Sequence, residues 1–231
     1  MNNSMRNIIV MGNWGAGKTT FCGQLQGLLS SELGIQRVVY DSDRFWFEDA
    51  VRSDTRGEHS MLVADGPRGH MIFRALDGSM FNQAHRQMIA QLADTEPRVM
   101  TVVEYATGQN GKFQEGELLD QSARFLVEHL IQSGAADHTL LIQLYRPFDL
   151  RRQSNLVRED ATDMTAFDTY GQEGGLVTPE DAARLGENFL PLNNVGSLEA
   201  LVANTYRDHI QPRLAIGATI EGNFDSRKEQ R

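Results

Sequence analysis

Gly12-Asn13-Trp14-Gly15-Ala16-Gly17-Lys18-Thr19 decides the reading of this chain. The stretch fits G-x-x-x-x-G-K-[ST] at every fixed position. An apolar run, Ile8-Ile9-Val10-Met11, precedes it. Apolar Phe21, Leu25, Leu28 and Leu29 follow it at helical spacing. A strand, a glycine-rich turn and a helix are the context in which this pattern carries meaning. The glycines let the backbone wrap an anion, and the amides at the helix start point at its oxygens. In such a loop Lys18 reaches the β- and γ-phosphates of a nucleotide, and the Thr19 hydroxyl takes Mg²⁺. Gly12, Asn13, Trp14, Gly15, Ala16, Gly17, Lys18, Thr19 and Thr20 are therefore the expected nucleotide contacts. Trp14 either shields the phosphates or packs on a neighbour.

Working outward, short apolar runs alternate with longer segments of helical period. Strands are expected at 8–11, 38–40, 99–105, 139–145 and 189–192. Helices are expected at 19–33, 80–94, 117–132, 148–159, from Thr178-Pro179, and at 197–213. Residues 44–79 read as short helices and loops. Strands alternating with helices of ten or more residues predict a parallel sheet covered on both faces. The stretch between the second and third strands, 44–98, exceeds one crossover helix and is the natural place for an acceptor-binding insertion.

The chain has 231 residues, 31 acidic and 22 basic, with a net charge of -9. Only three basic residues are lysines (Lys18, Lys112, Lys228), the rest being arginines. The length suits one domain, here 1–213, followed by a polar tail at 214–231. A composition 40% hydrophobic and 23% charged excludes wholesale disorder. The single cysteine, Cys22, has no internal partner, and residues 1–6 do not read as a signal peptide, so a cytoplasmic protein is expected. No run approaches the roughly 18 apolar residues of a membrane span. The acidic balance disfavours a nucleic-acid partner but leaves room for a local basic groove. Six histidines show no metal-ligand spacing. No N-K-x-D guanine-reading motif and no L-S-G-G-Q signature is present, which leaves the compact kinase branch of phosphate-loop proteins.

On these residues the chain resembles the P-loop small-molecule and nucleotide kinases. That broad group includes shikimate kinase, chloramphenicol phosphotransferase, nucleoside and nucleotide kinases, and the kinase half of polynucleotide kinase. The resemblance implies an α/β, three-layer P-loop NTPase fold. Its five-stranded parallel sheet has the order 2-3-1-4-5, with a helical insertion and a lid over 146–178. It also implies ATP and Mg²⁺ as cofactors and transfer of the γ-phosphoryl group to a small-molecule or nucleotide acceptor.

Asp41-Ser42-Asp43 ends the second strand, at the carboxyl edge where open α/β sheets bind ligands. Residues two apart in an extended chain share a side, so both carboxylates are expected to face the phosphates. By similarity to shikimate kinase, Asp43 would take the acceptor's proton and Asp41 would hold Mg²⁺ through water; which Asp does which stays open. Glu104 ends a β-branched strand, where a charge needs a partner or ligand. It is expected to be a Walker B-like or acceptor-binding acid. Arg146, Arg151, Arg152 and Arg158 follow the fourth strand, where the resemblance places lid arginines that clamp the phosphoryl group. Arg151 and Arg158 are the expected catalytic pair, and Arg152 a nucleotide contact. Arg44, Arg68 and Arg74 with His70 are candidate acceptor contacts. Asn194 lies where related kinases pass the adenine ring. Two rivals remain: a kinase acting on a polynucleotide end or modified DNA base, and an ATP-hydrolysing switch or assembly protein. The latter predicts turnover without an acceptor and an exposed apolar patch within 45–80.

Overall fold

The computed structural model describes residues 5–32, 35–65, 71–96, 98–107, 118–157, 164, 167–168 and 175–214. Strand β1 (Asn7–Gly12) is buried along its whole length. It lies between β5 (Val99–Ala106) and β6 (Thr139–Tyr145), parallel to both. β2 (Arg37–Ser42) flanks β5 and β7 (Phe189–Asn193) flanks β6, again in parallel. The sheet order is β2-β5-β1-β6-β7. With the separate β3–β4 hairpin set aside, this is the expected 2-3-1-4-5.

The alternation of β1 splits the core into two layers, because successive side chains face opposite sides of a sheet. Ile8 and Val10 pack on Phe21, Cys22, Leu25 and Leu29 of helix α1 (Lys18–Leu29). Val202 of α7 (Leu198–Thr205) joins that layer. Burial, before any charge effect, pushes the Cys22 thiol up, so it behaves as a small apolar residue. Ile9 and Met11 face the other way, against Met88 and Ile89 of α3 (Ser79–Gln91) and Leu126 and Leu130 of α4 (Ala123–Ser133). Among the described residues no helix is long and apolar enough to cross a membrane.

Several boundaries differ from the sequence reading. α4 begins at Ala123, where the Ser122 hydroxyl accepts the Phe125 N–H at 3.1 Å. Leu118 lies outside it and exposed. Gly134 closes this helix in the left-handed region (φ 75°). Helix α5 (Phe148–Leu156) is shorter than expected, and residues 158–163 lie outside the described residues. Residues 33 and 34, where the helix expected at 19–33 ends, lie outside them too.

The largest difference is in the insertion. α2 (Asp43–Ser53) is followed by an antiparallel hairpin, β3 (Ser60–Asp65) with β4 (Met71–Ala75), where short helices and loops were expected. Along β4, Met71, Phe73 and Ala75 pack inward while Ile72 and Arg74 face out, a period of two. The inward set lies against Phe47, Val51, Phe81 and Ala84 of α2 and α3. A register shift between Leu62 and Ala64 bends the hairpin.

One contact closes the insertion onto the main body, and a second ties the insertion together. A Cβ at Gly78 would lie 2.2 Å from the Leu119 nitrogen and 2.3 Å from the Leu118 carbonyl carbon. Asn82 locks the same strip, donating to the Leu118 carbonyl at 2.7 Å and accepting from the Asp120 N–H at 2.9 Å. The obstacle is backbone, which cannot swing away. Gly78→Ala is therefore expected to cost about 2–3 kcal/mol, read as a lower urea midpoint with an unchanged slope. An unchanged midpoint would show that the two segments slide apart freely.

The second contact is His59 Nδ1 with Asp77 Oδ2 at 2.5 Å, which ties the start of the hairpin to the start of α3. The Asp77 hydrogen bond raises the His59 pKa. Burial raises the Asp77 carboxyl, but hydrogen bonds from Ser79 and His59 outweigh it, for a net lowering. The raised histidine stabilises the fold below its unfolded pKa of about 6.5 and loses that effect as pH rises through its folded value. The lowered aspartate stabilises above about 3.9 and loses that effect as pH falls. The melting-temperature gap between wild type and His59→Gln should thus be widest between about pH 4 and 6.5 and shrink toward alkaline pH. Parallel curves would show the pair to be inert.

Candidate active site

The loop between β1 and α1 is packed from three sides. A Cβ at Gly12 would come within 2.5 Å of the Leu144 carbonyl oxygen. Gly15 (φ 75°) and Gly17 (φ 95°) sit in the left-handed region, which favours glycine. A side chain at Gly15 would press on Arg151, and one at Gly17 on Asn194. Helix α1 starts at Gly17 with no side-chain cap and no acid in its first turn. Helices α3 and α5 also start without a side-chain cap, at Gly78 and Pro147, but four other starts contrast with it. Ser42 caps α2, Ser122 caps α4, Thr178 caps α6 (Pro179–Leu185) and Ser197 caps α7. The amides of α1 are left for an anion. Lys18 is nearly buried and donates from Nζ to the Asn13 carbonyl at 3.2 Å, within the loop itself. Asn13 in turn donates to the Thr107 carbonyl at 3.2 Å. Thr19 and Thr20 are exposed.

The register brings the acids to this mouth. Val10 stands beside Glu104, and Ser42 beside Glu104 on the other flank. Glu104 accepts the Thr19 hydroxyl at 3.0 Å and the Tyr40 hydroxyl at 2.8 Å. Burial first, then Glu104, raises the Tyr40 pKa, which keeps that phenol a donor. Asp43 is almost buried, and its Oδ2 accepts the Ala106 N–H at 2.7 Å from the end of β5. Asp41 points elsewhere: it accepts the Trp46 indole N–H at 2.9 Å and the Ser42 N–H at 2.8 Å.

The two aspartates therefore do not share a side as extended-chain alternation predicted. β2 ends at Ser42, whose hydroxyl accepts the Arg44 N–H, and α2 begins at Asp43. Helical geometry replaces the period of two at that residue. The acid that meets Thr19 is Glu104, not Asp41.

Arg151 takes another place than an exposed lid would give it. Arg151 is fully buried on α5. Its Nη1 donates to the Trp14 carbonyl at 3.0 Å, its Nε to the Arg146 carbonyl at 2.9 Å, and its guanidinium lies 5.3 Å from the Phe148 ring centre. It braces the phosphate loop from behind. Arg152 pairs with Asp168 through two bonds of 2.8 and 3.1 Å. Arg44 pairs with Glu48 at 3.0 Å along α2. Asn194 is a second brace, donating from Nδ2 to the Ala16 carbonyl at 2.8 Å. Arg68, His70 and Arg158 lie outside the described residues.

The sequence reading missed Tyr40 and the bracing roles of Arg151 and Asn194. A tyrosine on β2 two residues before Ser42 was a signal for Tyr40. The braces had none, since burial is set by the tertiary fold.

The groups at the mouth fit a nucleotide phosphate and a hard cation. An uncapped helix start and a lysine suit the anion. The Thr19 hydroxyl and one carboxylate suit Mg²⁺, which binds through one or two carboxylates plus phosphate and water. Among the described residues no group of three or more His, Cys, Asp or Glu could hold a metal by itself. The strand order and this loop give the protein a P-loop α/β fold.

No protein-family model matches the chain, and neither does any curated protein sequence. Solved structures similar to it include a shikimate kinase from Acinetobacter baumannii in complex with shikimate. Identity there is 14%, over 92% of this chain and 97% of that one, with a TM-score of 0.47. A sugar kinase from Janibacter sp. is 15% identical over 92% and 98%, TM-score 0.49. Kti12 from Chaetomium thermophilum in complex with ADP-AlF3 is 16% identical over 88% and 98%, TM-score 0.49.

Proposed function

We propose that this protein is an ATP- and Mg²⁺-dependent phosphotransferase that moves the γ-phosphoryl group to a hydroxyl or phosphate of a small molecule or nucleotide. The observation that carries it is the grouping at one sheet edge: Lys18 in the loop mouth, Thr19 against Glu104, and Asp43 anchored on the next strand end. ATP supplies the phosphoryl group, and Mg²⁺, held by Thr19 and Glu104, would offset its charge. The α1 amides and Lys18 hold the phosphates in place. Asp43 uses Oδ2 to hold the Ala106 N–H, and Oδ1, which accepts a long 3.4 Å contact from the Ser42 hydroxyl, takes the acceptor's proton. Arg151 and Asn194 fix the loop's shape without touching the phosphates. Residues 44–98 form the acceptor side.

The test is transfer of labelled γ-phosphate to a panel of nucleosides, nucleotides, sugars and antibiotics. Label is expected on one acceptor class, and Asp43→Asn should slow transfer by roughly 10²–10⁴-fold with little change in KM for ATP. Full transfer by Asp43→Asn would remove the base from Asp43.

One observation favours a second reading, the ATP-hydrolysing switch. The hairpin exposes Met61, Leu62, Val63 and Ile72 together, within the stretch where that reading predicts an apolar patch. It requires ATP turnover at the same rate whether or not any acceptor is added.

A further inference from the structure

His85 of α3 is fully buried, and among the described residues neither of its ring nitrogens has a hydrogen-bond partner. It is packed among aromatic rings: Phe47 at 4.5 Å between centres, Tyr105 at 4.9 Å and Phe125 at 5.9 Å. A phenylalanine would suit these neighbours better, because a buried polar atom without a partner costs stability. Yet Nε2 lies 3.9 Å from Oδ2 of Asp43, the same oxygen that accepts the Ala106 N–H. That separation is within ion-pair range and too long for a hydrogen bond. Contacts between catalytic groups are often long before substrate binds and tighten afterwards.

We propose that His85 is a positioning residue for Asp43. It donates Nε2–H to Oδ2 once the site engages its acceptor, and with the Ala106 amide it fixes the carboxylate from behind so that Oδ1 faces the acceptor. The inference rests on the reading of Asp43 as the base. It explains why an imidazole stands in an apolar ring cluster, and it places α3, an element of the insertion, in control of a group on α2.

Two measurements test it. In the first, His85→Phe keeps the ring and removes both nitrogens. Its melting temperature should stay the same or rise, while the transfer kcat falls by about 10²-fold and KM for ATP holds. His85→Gln, whose amide can reach where Nε2 stood, should recover part of the loss. In the second, two-bond ¹H–¹⁵N correlation on histidine-labelled protein reads which ring nitrogen carries the proton. His85 is expected in the Nε2–H form, with a shift that moves in Asp43→Ala. Full kcat in His85→Phe, or a His85 signature indifferent to Asp43→Ala, overturns the proposal. Should the wild type transfer no phosphoryl group to any acceptor, the functional reading fails, and the spectroscopic result alone decides the His85–Asp43 contact.

Discussion

Lys18→Ala is expected to lower kcat/KM for ATP by roughly 10²–10³-fold, the usual effect of removing one preorganised donor from a developing charge. The fold should survive the change. Among the described residues the ammonium makes one hydrogen bond, to the Asn13 carbonyl within its own loop, and the loop keeps its braces through Trp14 and Ala16. A melting temperature within a few degrees of wild type would separate lost chemistry from lost structure. Lys18→Arg should rescue little, because a planar guanidinium does not replace a compact ammonium in a site built around it. Wild-type kcat/KM in Lys18→Ala would remove the nucleotide from this loop.

The second large effect is expected at Glu104. Glu104→Gln keeps the shape and can still accept the Tyr40 hydroxyl, but it removes the charge that faces Thr19. The Mg²⁺ concentration for half-maximal transfer should rise about 10–100-fold, and saturating Mg²⁺ should recover much of the rate. Asp41→Asn is the contrasting variant. Its carboxylate is turned to the Trp46 indole, so its Mg²⁺ dependence should match wild type. If Asp41→Asn shifts the dependence and Glu104→Gln does not, the metal role returns to Asp41.

The two acids show where sequence reasoning stops. The phosphate loop was readable because its glycines, lysine and threonine act within eight consecutive residues. The five parallel strands were readable because buried runs alternate with helical periods. The side an aspartate faces is a different kind of property. Asp41 and Asp43 diverge because one residue between them caps a helix. The apolar spacing of Phe47 and Val51 was the local sign that a helix had begun. The hairpin escaped notice because β3 and β4 are short and turn-rich sequence surrounds them. The role of Arg151 lay beyond any local pattern. Four arginines after a strand look the same whether they face a ligand or one of them, as Arg151 does, lies buried beneath the loop.

The braces on the phosphate loop also bear on how the molecule is assembled. The loop's own residues are made before the residues that support them. Its supports, Arg151 and Asn194, come from elements more than 130 residues later, and closing such long-range contacts is slow. The central strand likewise waits for β5 and then β6 before both of its edges are paired. An N-terminal fragment ending at residue 145 would contain the whole G-x-x-x-x-G-K-T pattern and lack the scaffold that shapes it. On the proposed function, nucleotide binding would wait until Arg151 and Asn194 have been made, and a ligand at the loop would stabilise the folded chain as a unit.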